Sequence, residues 1–154
     1  MRVLIQRVTR AQATEAGASK PKLASIERGM LCLIGFEEGD SPIAIEQMVQ
    51  KIKALRIFSD SQNKLNLAGN EVKAQYLLVS QFTLYAECKY GNRPSFDKAA
   101  PKVKAGEWYQ HCVKVFERLM GTEHVKHTPF ASDLHLELVN DGPVTIWLDS
   151  KAVL

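Results

Sequence analysis

Disulfide pairs, membrane-length apolar runs and phosphate-binding glycine loops are all missing from this chain. Its three cysteines, Cys32, Cys88 and Cys112, are widely spaced with no Cys-x-x-Cys pair, which argues against a disulfide framework or a zinc knuckle and points to a reducing cytoplasm. No stretch approaches the roughly 18 consecutive apolar residues of a membrane span, so no membrane partner is expected. Arg2, Gln6 and Arg7 interrupt residues 1–8, so no signal-peptide core is expected there. Neither Gly-x-x-x-x-Gly-Lys nor Gly-x-Gly-x-x-Gly occurs, and no cofactor is expected. Charge of one sign is scarce too. Twenty Lys and Arg against 17 Asp and Glu leave +3, which permits contact with phosphates without demanding it.

What is present suits one globular domain over residues 1–154: 45% hydrophobic and 24% charged residues, with no internal repeat or low-complexity segment. Residues 2–13 read as a strand, and the Ala-, Gly-, Ser- and Lys-rich segment 14–22 as an exposed hairpin loop. Residues 30–36 are almost wholly apolar, the mark of a strand buried on both faces at the centre of a sheet. Ser41-Pro42 supplies an N-cap and a first-turn proline, and Ile45, Met48, Val49, Ile52 and Leu55 recur at helical spacing. A short strand at 56–58 leads to a polar surface loop, 59–70, and a second buried strand begins at 76–79. Ala105, Trp108, Cys112, Val115, Phe116 and Leu119 stripe a helix over 102–120 that Gly121 ends. His124 and His127 are spaced as metal ligands can be, but a surface connection is expected there and no metal site.

Near the end, strand-like runs at 135–139 and 144–148 flank Asn140-Asp141-Gly142-Pro143. The plain reading is a β-hairpin, with Asp-Gly supplying the positive φ of a tight turn and Pro143 starting the next strand. A sharper reading is that Gly142-Pro143 presents bare backbone to a ligand. The order of elements gives an α+β domain with a mixed or antiparallel sheet and two main helices.

Polar side chains at the end of a buried strand need partners. Ser80, Gln81 and Thr83 follow the apolar residues 76–79, and two explanations compete: they satisfy neighbouring backbone, or the strand end opens into a pocket where they meet a ligand. A serine-hydrolase reading, with Ser80 or Thr83 as nucleophile, lacks a Gly-x-Ser-x-Gly elbow and any local histidine signature. Lys89, Arg93, Lys98, Lys102 and Lys104 form a basic cluster that reads as a solvated face or as a phosphate-binding surface.

Ser80-Gln81-Phe82-Thr83-Leu84 and Asn140-Asp141-Gly142-Pro143-Val144-Thr145 together closely resemble the two signature motifs of the D-aminoacyl-tRNA deacylases of the bacterial and eukaryotic type. The resemblance extends over the chain through Leu4-Ile5-Gln6-Arg7-Val8, Arg56-Ile57-Phe58-Ser59-Asp60 and Gly91-Asn92-Arg93-Pro94-Ser95-Phe96. It implies a barrel-like sheet and a homodimeric esterase, with active sites at the subunit interface, that removes D-amino acids, or glycine mischarged on tRNA(Ala), from the acceptor end of tRNA. The Gly142-Pro143 bond is then cis and enters the partner's site, where its carbonyls exclude L side chains. The resemblance gives Ser80, Gln81, Phe82 and Thr83 the terminal adenosine and the ester, with Thr83 positioning and the tRNA's own 2′-hydroxyl assisting. Arg7 and Asn140 support the Gly-Pro motif, while Phe130 and Leu134 join the pocket wall. Where the family commonly shows Gly-x-Phe-x-Ala-x-Met, this chain has Thr128-Pro129-Phe130-Ala131-Ser132-Asp133-Leu134, with Leu134 in place of Met, a mild hydrophobic exchange. Two alternatives stand beside this one: a related deacylase acting on L-alanyl-tRNA, and a non-catalytic nucleic-acid-binding module using the basic cluster.

Overall fold

Apolar residues at alternate positions make the start of the chain a half-buried strand, β1 (Arg2–Glu15), with Val3 and Ile5 fully buried. The computed structural model describes residues 1–17 and 21–154, so the tip of the loop expected at 14–22 lies outside the described residues. β2 (Lys22–Ile26) pairs antiparallel with the far half of β1, and β3 (Gly29–Gly35) pairs antiparallel with its near half. Only Leu33 of β3 is not fully buried, as its unbroken apolar run predicts.

Helix α1 (Pro42–Ala54) starts as expected, with Ser41 Oγ accepting the Ala44 amide at 3.2 Å and Ile45, Met48, Val49 and Ile52 buried beneath it. The strand expected at 56–58 shrinks to β4 (Phe58–Ser59), which pairs with β5 (Leu65–Leu67). Between them Asp60 folds the polar loop on itself. Hydrogen bonds from the Lys64 and Gln62 amides hold its carboxyl below the usual range.

β6 (Gln75–Ser80) runs parallel to β3. Helix α2 (Lys102–Met120) follows, buries Trp108, Tyr109, Cys112, Val113, Val115 and Phe116, and ends at Gly121. β7 (Val125–His127) then runs parallel to β6. α1 and α2 therefore lie in the two crossovers that parallel pairing requires. His127 belongs to a strand and not to a surface connection, a correction with a plain cause: β7 is three residues long and only Val125 in it is buried.

The expected C-terminal hairpin is absent. Residues 134–149 form one long strand, β8 (Leu134–Asp149), and both of its halves pair antiparallel with β1. Gln6 faces Thr145 and Val8 faces Asn140, so residues 141–144 of β8 stand opposite Arg7 alone. The turn residues make a wide bulge in a continuing strand, because β1 is long enough to pair on both sides of it. A short helix, α3 (Ser150–Val153), closes the chain.

The sheet order is β2-β1-β3-β6-β7 with β8 on the other side of β1, curled into a nearly closed barrel. One face, covered by α1 and α2, gathers Val3, Ile5, Cys32, Ile34, Met48, Trp108 and Phe116. The other gathers Val8, Ala11, Ile26, Leu31, Leu77 and Val79. β1 and β8 change sides together at the bulge. Val3 and Ile5 with Val144 and Ile146 feed the helix-covered core, whereas Val8 and Ala11 with Leu134, Leu136 and Leu138 feed the second. The bulge is thus a corner of the sheet.

Candidate functional site

β6 gives out at Ser80, where it still faces Ile34 of β3, and the Gln81 amide donates the last ladder bond to the Ile34 carbonyl at 2.7 Å. The chain then tightens into a 3-10 turn over Phe82–Tyr85. Arg2 fastens this turn to β1. Its Nη1 donates to the Leu84 carbonyl at 2.9 Å, its Nε donates to Asp149 at 2.9 Å, and its guanidinium lies 4.4 Å from the Tyr85 ring centre. Burial, with Asp40, Glu37 and Asp149 nearby, pushes the Tyr85 phenol well above its ordinary range.

The polar side chains at this strand end do two jobs. Ser80 Oγ accepts the Ala131 amide at 3.0 Å, and Gln81 Nε2 donates to Thr83 Oγ1, so part of the group satisfies its own surroundings. The rest opens onto a cavity of about 630 Å³. Ser80, Gln81, Phe82, Phe130 and Leu134 all line it, the last despite its departure from the family pattern. Thr83 stands beside it, exposed and tied to Gln81.

Several lining residues escaped sequence reasoning. Ile34, Gly35 and Phe36 come from the end of β3, Phe96, Ala99 and Ala100 from the approach to α2, and Lys102 and Ala105 from its first turn. Ala99-Ala100 before Pro101 was the available signal, since adjacent small residues leave room that larger ones fill. At the rim Phe82 is 59% exposed and meets Phe96 edge to face at 5.0 Å. An exposed aromatic face of this kind suits stacking by a nucleobase.

Arg7, Asn140, Gly142 and Pro143 are not among the cavity's walls. They form the corner bulge. The buried Arg7 donates from Nε to the Asp141 carbonyl at 3.1 Å and from Nη1 to the Ile57 carbonyl at 2.7 Å, and it pairs with the Asp141 carboxylate at 3.1 Å. Asn140 Oδ1 accepts the Val144 amide at 2.9 Å while its Nδ2 donates to Thr145 Oγ1 at 3.1 Å. The Gly142–Pro143 peptide bond is cis and both residues are exposed. From Leu134 at the cavity to Asn140 is about 20 Å of strand, at roughly 3.3 Å per residue.

Among the described residues no histidine lines the cavity, so Ser80 and Thr83 have no Ser-His pairing there. Burial pushes the Cys32 thiol up to about 12 and raises that of Cys112 as well, leaving both un-ionised at neutral pH. His124 lies 3.6 Å from Glu123, but among the described residues no group of three or more His, Cys, Asp and Glu is placed to hold a metal ion. No helix among them is long and apolar enough to cross a membrane.

A family model described as D-Tyr-tRNA(Tyr) deacylase matches residues 4–149. A D-aminoacyl-tRNA deacylase of Koribacter versatilis is 44% identical over 151 residues, 98% of each chain. Another, of Chloroherpeton thalassium, is 43% identical over 150 residues, 97% of this chain and 96% of that one. Among solved structures, a c-Myc DNA Unwinding Element Binding Protein superimposes with a TM-score of 0.89 at 34% identity, covering 97% of this chain and 98% of the other. A probable eukaryotic D-amino acid tRNA deacylase shares the fold with a TM-score of 0.84 at 16% identity, covering 96% and 97%.

Proposed function

The chain belongs to the D-Tyr-tRNA(Tyr) deacylase family, and on that footing we propose that it hydrolyses the ester joining a D-amino acid to the terminal adenosine of tRNA. Water adds to the ester carbonyl, the bond from that carbon to the ribose oxygen breaks, and the ribose oxygen takes a proton. Free D-amino acid and tRNA leave. The observation that carries this reading is a cavity of about 630 Å³ that joins Ser80, Gln81 and Phe82 to Phe130 and Leu134 under an exposed aromatic rim. Phe82 and Phe96 suit the adenine, and Gln81 and Thr83 suit the polar ribose and ester.

With no Ser-His pair among the described walls of the cavity, catalysis in this reading rests on positioning and preorganised donors. Thr83 and Gln81 orient the ester, and the tRNA's 2′-hydroxyl assists the attack. Glycine mischarged on tRNA(Ala) is a second substrate, because it has no side chain of the wrong hand to reject.

In this proposal rejection of L-amino acids falls to Gly142 and Pro143 of a second copy. About 20 Å of strand separates the bulge from its own cavity, whereas both of its exposed residues are free to enter a partner's. Among the described residues β8 pairs only with β1, which leaves its other edge open, with Val139 and Trp147 exposed along it. The working enzyme is then a homodimer of one domain per chain (residues 1–154), with sites at its interface, acting on aminoacyl-tRNA in the cytoplasm.

Two other readings give different outcomes in one assay. A nucleic-acid-binding module without turnover draws support from the similarity, at 34% identity, to a protein named for binding a DNA unwinding element. Against it, Lys98 is paired with Glu87 and Lys104 with Glu107, so the basic cluster is not an open row of cations. A deacylase for L-alanyl-tRNA is the third. Release of D-tyrosine, L-tyrosine and L-alanine from their tRNAs by the purified protein separates all three. Rapid loss of D-tyrosine alone is the expected result, and rapid loss of L-tyrosine or retention of D-tyrosine overturns the proposal.

A further inference from the structure

Resting on the deacylase reading, we infer that Ser80 is a positioning residue whose hydroxyl anchors the Phe130–Ala131 turn as a wall of the cavity, and that it does not act on the ester. Ala131 has φ of 57°, in the left-handed region that a residue with a Cβ rarely adopts. Something must hold it there. The Ala131 amide donates to Ser80 Oγ at 3.0 Å, across 51 residues of sequence. Ser80 is in turn fixed by the pairing of β6 with Ile34 of β3, so the sheet dictates where the turn sits.

The ring that precedes Ala131 cannot retreat. Behind Phe130 lies Gly106 of α2, where a Cβ would stand 3.3 Å from two ring carbons, and the Tyr109 ring lies 5.8 Å away. Tyr109 is itself locked, its hydroxyl within 2.9 Å of the Leu78 carbonyl and 3.1 Å of the Thr128 carbonyl. With the back of the wall rigid, the depth of the cavity depends on the turn, and the turn depends on Ser80. A shift of a few tenths of an ångström there moves the ester against its donors, to which rates are steeply sensitive.

The test compares deacylation of D-tyrosyl-tRNA by wild type, Ser80→Ala, Ser80→Thr, Ala131→Gly and the double variant Ser80→Ala/Ala131→Gly. Glycine enters the left-handed region without a Cβ penalty, so it removes the need for the anchor. Ser80→Ala is expected to lower kcat/KM about tenfold, Ser80→Thr to stay within about threefold of wild type, and the double variant to recover to within about threefold. Amide hydrogen exchange at Ala131 is expected to accelerate at least about tenfold in Ser80→Ala, since its acceptor is gone. Should Ser80→Ala fail to fold, Ser80→Cys, with a sulfur that accepts hydrogen bonds weakly, replaces it with the same expected pattern. A double variant as slow as Ser80→Ala, or an Ala131 amide equally protected without the hydroxyl, overturns the inference. Wild type that leaves D-tyrosyl-tRNA intact sinks the deacylase reading instead, while the exchange measurement still tests the anchor.

Discussion

Loss of the Arg7 side chain would leave two backbone carbonyls without their donor. Its guanidinium satisfies the carbonyls of Asp141 and Ile57 in a buried setting, and a lysine ammonium lacks the flat fork that reaches both. Arg7→Ala is expected to lower unfolding stability by about 2 kcal/mol, read from urea denaturation, and to abolish D-tyrosyl-tRNA turnover by loosening the bulge. Gly142 is constrained differently. At φ of 123° an added Cβ would stand 2.8 Å from Val144 Cγ2 and 2.9 Å from Arg7 Nη2, so Gly142→Ala strains its own bulge whatever it meets in a partner. A loss of about 1–3 kcal/mol together with impaired turnover of D substrates is the expected outcome. A fully active Gly142→Ala protein would count against the selectivity role. Thiol labelling separates the cysteines: native protein is expected to react rapidly only at the exposed Cys88, whereas denatured protein reacts at all three.

Elements whose signal is internal were legible in the sequence. α1 carries its own cap and stripe, and Ser41→Ala should cost about 1 kcal/mol in thermal or urea unfolding without changing kcat, since Ser41 is not among the residues that line the cavity. α2 and β3 were equally plain, because an apolar stripe or an unbroken apolar run fixes which surface is buried before any neighbour is known. β8 was not. Asn140-Asp141-Gly142-Pro143 favours a reversal and a bulge for the same local reasons, and the choice depends on β1, about 130 residues earlier, pairing along both halves. β7 escaped because Lys126 and His127 are exposed and only its pairing with β6 makes it a strand. In the cavity, Ser80, Gln81 and Thr83 stood out as polar groups at the end of a buried run. Phe130 and Leu134 were legible as site residues through the family motif alone; Phe96 lay in a resembling stretch and Ala99 in a pair of small residues, but neither pointed to the cavity, because folding alone brings them to the strand end.

Over the whole molecule, buried acids of the weak kind set the alkaline limit. Burial pushes Cys32 up to about 12 from an ordinary 9.0, and it raises Cys112, Tyr76 and Tyr109 in the same direction. The folded state therefore keeps protons that the unfolded chain releases. Stability from these groups is whole below about pH 9 and is lost as pH rises towards 12, so the urea midpoint should hold at neutral pH and fall through that window. On the proposed function, a net charge of only +3 leaves tRNA affinity to local contacts with phosphate, and KM should rise with salt while kcat holds in steady-state assays. The corner bulge carries a different lesson. Surface loops let an enzyme change what it accepts without touching its frame, but here the residues assigned to discrimination are built into the seam where two layers of sheet exchange sides. On the proposed function, fidelity and heat resistance are then a single trait, and variants selected for a broader choice of amino acid should emerge with lower melting temperatures.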